Sequence, residues 1–477
     1  MQKLQSFING QYIESASTET ITILNPATNE EIFSVQACTR DEAKQAIQAS
    51  KAAQKAWAGA TTSAERADYI RKMATELKRR KEEFARVITM EQGKLFEDAL
   101  GEINHAITLA EYHAGWALRM EGEAVKGDAL RENMIIFREP MGVVACILPW
   151  NFPIAVMMRK LAPALITGNT AVLKPSSETP AATLMMGEVF KAIGLPDGVV
   201  NIVPGHGNEV GDELSSNPDV NMITLTGSTA SGRAVMQAAA QNITKVSLEL
   251  GGKAPSIVMN DADVDLAVET IFNGKFFNAG QVCTSVERVY VQEEIADIFV
   301  SKMTEKICAM TIGDGLAQPA PQMGPLINSQ AVDSVDANVK KAVSQGAKVV
   351  VGGKRGNSKG CFYQPTLLVD CNHSMDIMHQ EIFGPVMPVM RFDTPEQALA
   401  LANDSEYGLT SVLYTSDFST AMLFANNIAF GELFINRQQG EAINGYHAGW
   451  KKSGTGGDDG KHGMEEFQQT RTVYLKY

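Results

Sequence analysis

Short β-branched runs alternate with segments of helical periodicity between about residue 142 and residue 260. The apolar runs lie at residues 143–148, 171–173, 199–203, 222–225 and 246–248. Helical patterns lie between them at 181–193 and 230–241, with turn residues at their ends. This alternation predicts right-handed βαβ units and a parallel sheet that helices cover on both faces. Such a fold is typical of nucleotide-binding proteins, although the fold class alone does not establish that function.

The chain on either side of this region has its own patterns. Upstream, amphipathic helical patterns occupy residues 40–57, 63–86 and 96–123. Downstream, further apolar runs at 256–258, 288–291, 348–351 and 366–369 predict a second α/β domain. Two strands, at 134–138 and 472–476, belong to neither sheet. Because a long apolar strand at a chain end exposes an unpaired edge, we expect these two to form an oligomer contact.

Length and charge limit the kinds of partner. A chain of 477 residues is long enough for two to four domains, each with its own core. With 42 Lys and Arg against 55 Asp and Glu, the net charge of −13 argues against nucleic acid and anionic membranes. Residues 141–158 carry no charge, but Pro149 and Pro153 would break a membrane helix. We expect a buried strand that runs into a loop there, and no membrane partner.

The cysteines indicate a reducing compartment. The six of them form no C-x-x-C pair and show no zinc-like spacing. The first fifteen residues lack the apolar core of a signal peptide. We therefore expect a cytoplasmic protein.

Three residues at strand or loop ends have the chemistry of nucleophilic catalysis. Cys283 lies in a polar, glycine-bearing loop, although a lone cysteine is more often a small buried hydrophobe. A thiolate nucleophile needs an oxyanion donor, and it needs a base if an acyl intermediate is to be hydrolysed. Asn151 offers an amide donor and Glu249 a carboxylate, each at the end of an apolar strand. The carboxyl ends of parallel strands lie at one edge of a sheet, so we expect the three to converge.

Two glycine clusters follow strands and precede helices. They are 205–211 and 226–232. Either could bind a phosphate with backbone N–H groups at a helix N-terminus. A simple strand-to-helix turn explains the first equally well, and a Ser or Thr N-cap explains the second.

Six motifs resemble those of the aldehyde dehydrogenase superfamily and occur in the same order. They are Pro149-Trp150-Asn151-Phe152-Pro153, Lys174-Pro175-Ser176, Thr226-Gly227-Ser228, Glu249-Leu250-Gly251-Gly252-Lys253, Gly280-Gln281-Val282-Cys283 and Glu381-Ile382-Phe383-Gly384-Pro385. The likeness runs over essentially the whole chain. It implies an NAD- or NADP-dependent enzyme that oxidises an aldehyde to an acid.

The resemblance also implies catalytic roles. Cys283 attacks the aldehyde carbon, while the Asn151 amide and the Cys283 backbone N–H hold the oxyanion. Glu249 activates the water that hydrolyses the resulting thioester. Members that transfer the acyl group to coenzyme A lack this glutamate, so we expect a free acid as product.

The same resemblance assigns cofactor contacts. Lys174 and Glu381 bind the two ribose units, Phe383 and Thr226 border the nicotinamide, and Ser228 contacts the pyrophosphate. Further implied cofactor contacts are Leu148, Trp150, Ser177, Gly207, Gly227 and Leu250.

One position departs from the family pattern and concerns cofactor choice. NAD-preferring members usually carry Glu directly after Lys-Pro-Ser, where it accepts hydrogen bonds from ribose hydroxyls. Here that position is Ser177, and Glu178 follows one place later. A carboxylate would repel a 2′-phosphate, whereas Ser177 can donate to one beside Lys174. We expect NADP to be accepted at least as well as in typical NAD members.

The C-terminal stretch 441–450 resembles the lactaldehyde and glycolaldehyde dehydrogenase branch. That likeness implies four substrate contacts: Arg159, Glu441, His447 and Thr284. The branch usually has asparagine at the position of Thr284. Succinate-semialdehyde-type enzymes share the arginine, so a carboxylate substrate is the alternative. Since Glu441 would repel a carboxylate, a small 2-hydroxyaldehyde is favoured. A structural ion pair at the tunnel mouth is a further interpretation.

The predicted fold has two parallel-sheet Rossmann-like α/β domains plus a small β oligomerisation arm. The cofactor-binding domain comprises 1–121 and 141–251, the catalytic domain 252–444, and the arm 122–140 with 460–477. The family fold implies a homodimer or homotetramer.

Other functions fit the sequence less well. A thiol esterase or acyltransferase would use Cys283 and Glu249 but leave the glycine loops and Lys174 without a role. A non-catalytic binding protein would leave all the chemical residues unexplained. The histidine pairs are not joined by a convincing carboxylate or cysteine set, so no metal site is expected. No G-x-S-x-G elbow is present, which removes the commonest serine hydrolase interpretation.

Overall fold

A computed structural model describes residues 2–356 and 359–477. Met1 and residues 357–358, which belong to the predicted ranges 1–121 and 252–444, lie outside the described residues. The first elements are β1 (Gln2–Leu4), β2 (Ser6–Ile8), β3 (Gln11–Ile13), β4 (Thr20–Leu24), β5 (Glu31–Gln36), α1 (Arg40–Gly59), α2 (Ser63–Arg79), α3 (Lys81–Gln92), α4 (Phe96–Ala114) and β6 (Glu123–Lys126). They are followed by β7 (Glu132–Pro140), β8 (Val143–Ile147), α5 (Pro153–Ile166), β9 (Thr170–Lys174), α6 (Ala181–Ala192), β10 (Val200–Ile202), α7 (Asp212–Ser216), β11 (Met222–Thr226), α8 (Thr229–Ala239) and β12 (Lys245–Glu249).

The second half of the chain begins with β13 (Ala254–Val258), α9 (Val264–Phe276), β14 (Val286–Gln292), α10 (Glu293–Cys308), α11 (Ser329–Ser344), β15 (Lys348–Val351), β16 (Thr366–Val369) and β17 (Val386–Phe392). It ends with α12 (Pro395–Asn403), β18 (Tyr407–Gly408), β19 (Thr410–Tyr414), α13 (Phe418–Asn427), β20 (Glu432–Ile435), β21 (Trp450–Lys451), β22 (Gly454–Thr455), α14 (Gly460–Glu466) and β23 (Gln468–Lys476).

The first large sheet has the strand order β22-β12-β11-β8-β9-β10-β2-β3. Its five central strands, from β12 to β10, are parallel, as the alternating pattern predicts. Short antiparallel strands close the two edges, with β2 on β10 and β22 on β12. The central strands are buried because helices cover both faces. Their carboxyl ends point to one edge of the sheet, where β12 ends at Glu249 and β9 at Lys174.

The second large sheet has the order β15-β16-β17-β14-β13-β19-β20 and is parallel except for β15. The sequence pattern predicted β13, β14, β15 and β16 but gave no separate prediction for β17, β19 or β20. Strand β17 contains Pro388 and Arg391, and β20 begins with Glu432, so neither is an uninterrupted apolar run. The predicted α/β class with two parallel-containing sheets is confirmed.

Two of the predicted helices end earlier than expected. The segment 63–86 is divided between α2 and α3 at Arg80, whose φ of −106° and ψ of 14° leave the helical region. The Arg80 guanidinium lies 2.7 Å from the carboxylates of both Glu83 and Glu188. The helix that was predicted over 96–123 ends at Ala114.

The two strands that the sequence left unassigned pair with each other. Strand β23 runs antiparallel to β7 over nine residues, and β6 completes a three-stranded sheet. Phe137, Tyr474 and Leu475 are exposed on this sheet. Its role as an oligomerisation arm stays a prediction. Residues 141–158 form β8, a loop and the start of α5, as expected. In the described part of the chain, no helix has the length and apolar character needed to cross a membrane.

Candidate active site

A cavity of about 950 Å³ lies beside the carboxyl ends of the first sheet. The cavity is lined by all the site residues that were predicted from the sequence: Leu148, Trp150, Asn151, Arg159, Lys174, Ser177, Gly207, Thr226, Gly227, Ser228, Glu249, Leu250, Cys283, Thr284, Glu381, Phe383, Glu441 and His447. The structure therefore brings all the predicted residues together, whatever role each has.

The Cys283 loop has an unusual backbone that fixes where the thiol lies. After α9, Asn278, Ala279 and Gly280 all have positive φ angles, of 48°, 55° and 76°. A side chain at Gly280 would place its Cβ 2.3 Å from the Gly384 carbonyl oxygen, so glycine is required there. Cys283 follows this turn and is half-buried against the cavity.

Asn151 lies on the loop between β8 and α5 and faces the Cys283 loop. Its Nδ2 donates to the Gln281 carbonyl oxygen at 3.0 Å. The backbone carbonyl oxygen of Asn151 accepts a hydrogen bond from Lys94 Nζ at 2.7 Å. The side-chain amide and the backbone of Asn151 are thus each held by one hydrogen bond, and the partner of the amide, Gln281, is only two residues from the thiol in sequence.

A fully buried ion pair anchors the Asn151 loop. Lys94 Nζ lies 2.6 Å from Glu102 Oε2, and neither side chain is exposed. Glu102 Oε1 also accepts hydrogen bonds from the backbone N–H groups of Ile154 and Ala155, at the start of α5. Burial lowers the pKa of Lys94, and Glu102 opposes that shift. This pair ties α4 to the loop that carries Asn151.

Removal of one member of this pair is expected to destabilise the fold strongly. Lys94→Met leaves the Glu102 carboxylate buried without its cation, which costs about 3–5 kcal/mol in unfolding free energy. Urea unfolding measures the loss. Lys302→Met is the matched control, because Lys302 pairs with Asp265 on the surface, where an ion pair contributes little to stability. Equal unfolding midpoints for the two variants would contradict the anchoring role.

Glu249 is a buried carboxyl with a perturbed pKa. It is only 3% exposed, and neither of its carboxylate oxygens has a hydrogen-bond partner among the described residues. Burial raises its pKa to about 8, and His447, whose Nε2 lies 3.6 Å from Glu249 Oε2, opposes that shift. A carboxyl of this kind can accept a proton near neutral pH.

His447 lies at the centre of a cluster of charged groups. Its Nδ1 is 3.1 Å from Glu432 Oε2 and 3.7 Å from Glu441 Oε1, and its Nε2 faces Glu249. Burial alone lowers the pKa of His447, but Glu441, Cys283, Glu249 and Glu432 raise it well above its usual value. The ring is therefore held as an imidazolium.

Arg159 carries its charge between two carboxylates. Its guanidinium lies 3.0 Å from Asp459 Oδ2 and 3.7 Å from Glu441 Oε2. Burial raises the pKa of Glu441, but His447 and Arg159 outweigh that effect and lower it to about 2. The Arg159 Nε has no hydrogen-bond partner within the described ranges. The two interpretations of Arg159, as a structural ion pair and as a substrate contact, are thus compatible, since it forms an ion pair and still lines the cavity.

The other end of the cavity reaches the two glycine clusters. Ser228 caps α8, and its Oγ accepts the Ser231 N–H at 3.1 Å, so the predicted N-cap is present. Residues 207–211 form a π-helical turn before α7. Ser177 Oγ donates to the Gly205 carbonyl oxygen at 3.3 Å. Glu178 is exposed and accepts a hydrogen bond from Asn328 at 3.1 Å.

A buried charged group shapes the loop that carries Glu381 and Phe383. Glu287 lies 2.9 Å from Lys253 Nζ and accepts the backbone N–H groups of Ile382 and Phe383. Glu381 Oε1 accepts the Gly252 N–H at 2.9 Å. Burial raises the pKa of Glu381 to about 7, and the nearby Glu287 adds to that shift. Across the cavity, the Phe383 ring packs edge-on against Trp150, with 5.4 Å between ring centroids.

Comparison with known proteins identifies the family. The family model described as "Aldehyde dehydrogenase family" matches residues 12–473. The chain belongs to the aldehyde dehydrogenase family. It is an enzyme of that family, whose members use NAD or NADP.

Three relatives illustrate the range of substrates among similar aldehyde dehydrogenases. Lactaldehyde dehydrogenase of Escherichia coli (strain K12) is 46% identical over 98% of each chain. A crystal structure of lactaldehyde dehydrogenase from Escherichia coli superposes with a TM-score of 0.98, over 100% of this chain and 99% of that one. A 3,6-anhydro-alpha-L-galactose dehydrogenase of Vibrio sp. (strain EJY3) is 40% identical over 100% of both chains. An NADP(+) succinate-semialdehyde dehydrogenase of Escherichia coli (strain K12) is 39% identical over 99% of this chain and 97% of its own.

The cleft of this aldehyde dehydrogenase fits a dinucleotide. Lys174 is buried with only the adjacent Pro175 carbonyl oxygen as its hydrogen-bond acceptor among the described residues, and burial lowers its pKa to about 8. The hydroxyl of Thr226 is buried without a partner in the same part of the chain. The N-terminus of α8 at Ser228 adds positive potential at the cleft. These groups have N–H or O–H donors without acceptors, and ribose and phosphate oxygens can accept hydrogen bonds from them.

Several residues of the cavity wall were missed by the sequence reasoning. They are Glu102, His105, Phe152, Phe277 and Gln439. Phe152 and Phe277 stack with 5.9 Å between centroids, and Phe152 belongs to a motif that was already recognised. Glu432 and Asp459, which hold His447 and Arg159, gave no signal, because an acidic residue at a strand start or in a loop is ordinary in sequence.

Proposed function

We propose that this aldehyde dehydrogenase oxidises a small 2-hydroxyaldehyde, such as lactaldehyde or glycolaldehyde, to the free acid. The observation that carries the proposal is that two carboxylates compensate the charge of Arg159. Asp459 and Glu441 lie 3.0 and 3.7 Å from its guanidinium. An arginine with two carboxylate partners has little attraction left for a substrate carboxylate. Its Nε, which lacks a partner among the described residues, can still donate to a neutral hydroxyl or carbonyl oxygen.

The acidic surroundings of the cavity support the same conclusion. Glu441 stays ionised at neutral pH because its pKa is lowered to about 2. It lines the cavity with His447, whose charge is already shared with Glu432. A substrate carboxylate would have to approach Glu441 in a low-dielectric site, which is unfavourable. A hydroxyl group can instead donate to Glu441 and accept from Arg159.

The proposed chemistry begins at Cys283. Its thiolate attacks the aldehyde carbon, a C–S bond forms, and the carbonyl π electrons move onto oxygen. The Asn151 amide donates to the Gln281 carbonyl while Lys94 holds the Asn151 backbone, and its second N–H is placed to donate to that oxyanion. NAD or NADP, when bound, supplies the hydride acceptor that turns the tetrahedral adduct into a thioester.

Glu249 completes the proposed reaction as general base. Its carboxylate removes a proton from water, the water oxygen attacks the thioester carbon, and the C–S bond breaks to restore the Cys283 thiolate. Because burial raises the pKa of Glu249 to about 8, the basic form becomes more populated as the pH rises toward 8. The product is a free carboxylic acid.

We also propose that NADP is accepted at least as well as in typical NAD-preferring members. Ser177 and Lys174 both line the cavity, and Glu178 is engaged with Asn328. Ser177→Glu is expected to raise the NAD over NADP ratio of kcat/KM by about tenfold or more, because a carboxylate repels the 2′-phosphate. Ser177→Gln is the uncharged control and should change the ratio much less. Equal ratios for the Glu and Gln variants would refute the electrostatic explanation.

The test of the substrate proposal is a comparison of kcat/KM for lactaldehyde, glycolaldehyde, succinate semialdehyde and propanal, with each cofactor. We expect the two hydroxyaldehydes to exceed the other two by about tenfold, which is about 1.4 kcal/mol of transition-state binding. A clear preference for succinate semialdehyde would overturn the proposal in favour of the semialdehyde alternative. If kcat/KM with NAD exceeds kcat/KM with NADP by more than about tenfold, the cofactor proposal fails, whatever the substrate preference is.

A further inference from the structure

Glu287 has no role in the chemistry proposed above, yet it holds the loop that carries Glu381 and Phe383. It is the second residue of β14 and is only 1% exposed. Its Oε2 accepts the Ile382 N–H at 2.8 Å, and its Oε1 accepts the Phe383 N–H at 3.3 Å. Because residues 381–383 belong to no helix or strand, a side chain supplies the hydrogen bonds that regular structure would otherwise supply.

Two fully buried lysines keep the Glu287 carboxylate charged and fix its direction. Lys253, directly before β13, places its Nζ 2.9 Å from Oε2, and Lys275, in the last turn of α9, places its Nζ 3.2 Å from Oε1. Burial raises the pKa of Glu287, but the two lysines and the Ile382 N–H outweigh that effect and lower it. Each carboxylate oxygen thus faces one lysine and one backbone N–H, which leaves the group little freedom to turn.

The backbone at Phe383 needs such support. Its φ of 51° places a bulky residue in the left-handed region, a conformation that persists only where surrounding contacts hold it. The N–H of this same residue is one of the two that Glu287 accepts. The strained residue presents its ring to Trp150 at the cavity wall. Glu287 therefore stabilises a loop conformation that the chain would not adopt without it.

The Glu381 carboxylate has little room beside this loop. Its Oε1 accepts the Gly252 N–H at 2.9 Å. A Cβ at Gly251 would lie 2.4 Å from Glu381 Oε2, so the carboxylate packs directly against the glycine backbone. A shift of the loop would break the first contact or force a collision in the second. The place of Glu381 in the cavity wall thus depends on the backbone of the next residue, Ile382, which Glu287 holds.

We propose that Glu287 is a positioning residue that sets the affinity for NAD or NADP by holding Glu381 where a cofactor ribose binds. The inference rests on the cofactor contact that the family resemblance assigns to Glu381. Ribose hydroxyls donate to a carboxylate, and a carboxylate that is already in place loses less freedom when they bind. The alternative is that Glu287 only compensates the charges of Lys253 and Lys275. A buried ion pair often adds little net stability, so the two roles need to be separated by experiment.

The test titrates NAD and NADP separately into the full-length enzyme without aldehyde, and measures Kd by tryptophan fluorescence. Wild type is compared with Glu381→Ala, Glu287→Asp and the double variant. The shorter aspartate keeps the negative charge but cannot reach both lysines and both N–H groups at once. Glu42→Gln is the matched control, because Glu42 is also buried and accepts the N–H groups of Ala16 and Thr39, but lies away from the cavity wall.

For the cofactor that the wild type binds more tightly, Glu381→Ala is expected to raise Kd roughly tenfold, because hydrogen bonds to a charged group are lost. Glu287→Asp is expected to raise it about fivefold, which is the effect of one buried hydrogen bond. The double variant should bind about as weakly as Glu381→Ala, since both changes act through one contact. Independent effects would multiply to roughly fiftyfold. Glu42→Gln should bind like the wild type.

Hydrogen exchange of the wild type keeps the inference testable if Glu287→Asp does not fold. In the cofactor-free enzyme, the N–H groups of Ile382 and Phe383 should exchange at least about tenfold more slowly than in an unfolded peptide, because a buried carboxylate accepts both. Peptide mass spectrometry after deuterium labelling measures the rate. Exchange of both groups at the unfolded rate would contradict a held loop.

Two binding results would overturn the inference: an unchanged Kd in Glu287→Asp, or a double variant in which the two losses multiply. An unchanged Kd in Glu381→Ala would overturn it through its premise, the cofactor contact of Glu381. The proposed function is decided separately, by the aldehyde comparison and by the turnover of Cys283→Ala. If wild type oxidises hydroxyaldehydes and Cys283→Ala is inactive while the two losses multiply, only the positioning role is wrong.

Discussion

Replacement of Glu249 by Gln is expected to leave one rapid burst of NAD(P)H, about one equivalent per active site, followed by very slow steady-state turnover. The amide keeps the shape of the side chain but cannot take a proton from water, so the thioester on Cys283 forms and then persists. Loss of a general base lowers the rate by roughly 10²–10⁴-fold. Stopped-flow absorbance at 340 nm measures both phases.

The pH dependence of the wild type gives the matching result. Burial raises the pKa of Glu249 to about 8, so its proton-accepting form increases as the pH rises through that value. Steady-state turnover should therefore increase with pH up to about 8 and then level, while the burst in Glu249→Gln shows no such increase. Glu406→Gln, an exposed carboxylate paired with Lys452, serves as the control variant. A Glu249→Gln enzyme with undiminished steady turnover would exclude Glu249 as the base.

Cys283→Ala is expected to abolish both the burst and the turnover, by roughly 10³-fold or more, because no other thiol lines the described part of the cavity wall. Binding of NADP, measured by fluorescence titration, should be retained, since the cofactor contacts lie on other elements. Cys308→Ala is the matched control, because that thiol is exposed and lies at the end of α10. Normal turnover by Cys283→Ala would remove the basis of the proposed chemistry.

The sequence predicted the parts of the fold that have a strong local pattern. The strands of the first sheet are nearly continuous apolar runs, because they are buried on both faces, and each central one was recognised. Strand β17, with Pro388 and Arg391, lacks such a run and gave no prediction. The break at Arg80 could not be foreseen either, because residues 63–86 contain no proline or glycine and their helical pattern is continuous.

The same distinction applies to the site. Motifs with fixed spacing led to most of the residues that were predicted to line the cavity. The groups that hold those residues in place were not predictable, because their contacts join distant parts of the chain. Lys94 reaches the Asn151 carbonyl across 57 positions, and Lys160 reaches Asp458 across 298. Glu432 and His447 are separated by only 15 residues, but nothing in that spacing indicates an ion pair.

The most direct test of the account is the detection of the acyl group on its proposed carrier. Glu249→Gln, mixed with lactaldehyde and NADP and quenched in acid after the burst, should yield a single lactoyl group, located by peptide mass spectrometry on the peptide that contains Cys283. The burst amplitude and the acylated fraction should agree. A burst of NADPH with an unmodified Cys283 peptide, or with the acyl group on another residue, would contradict the account.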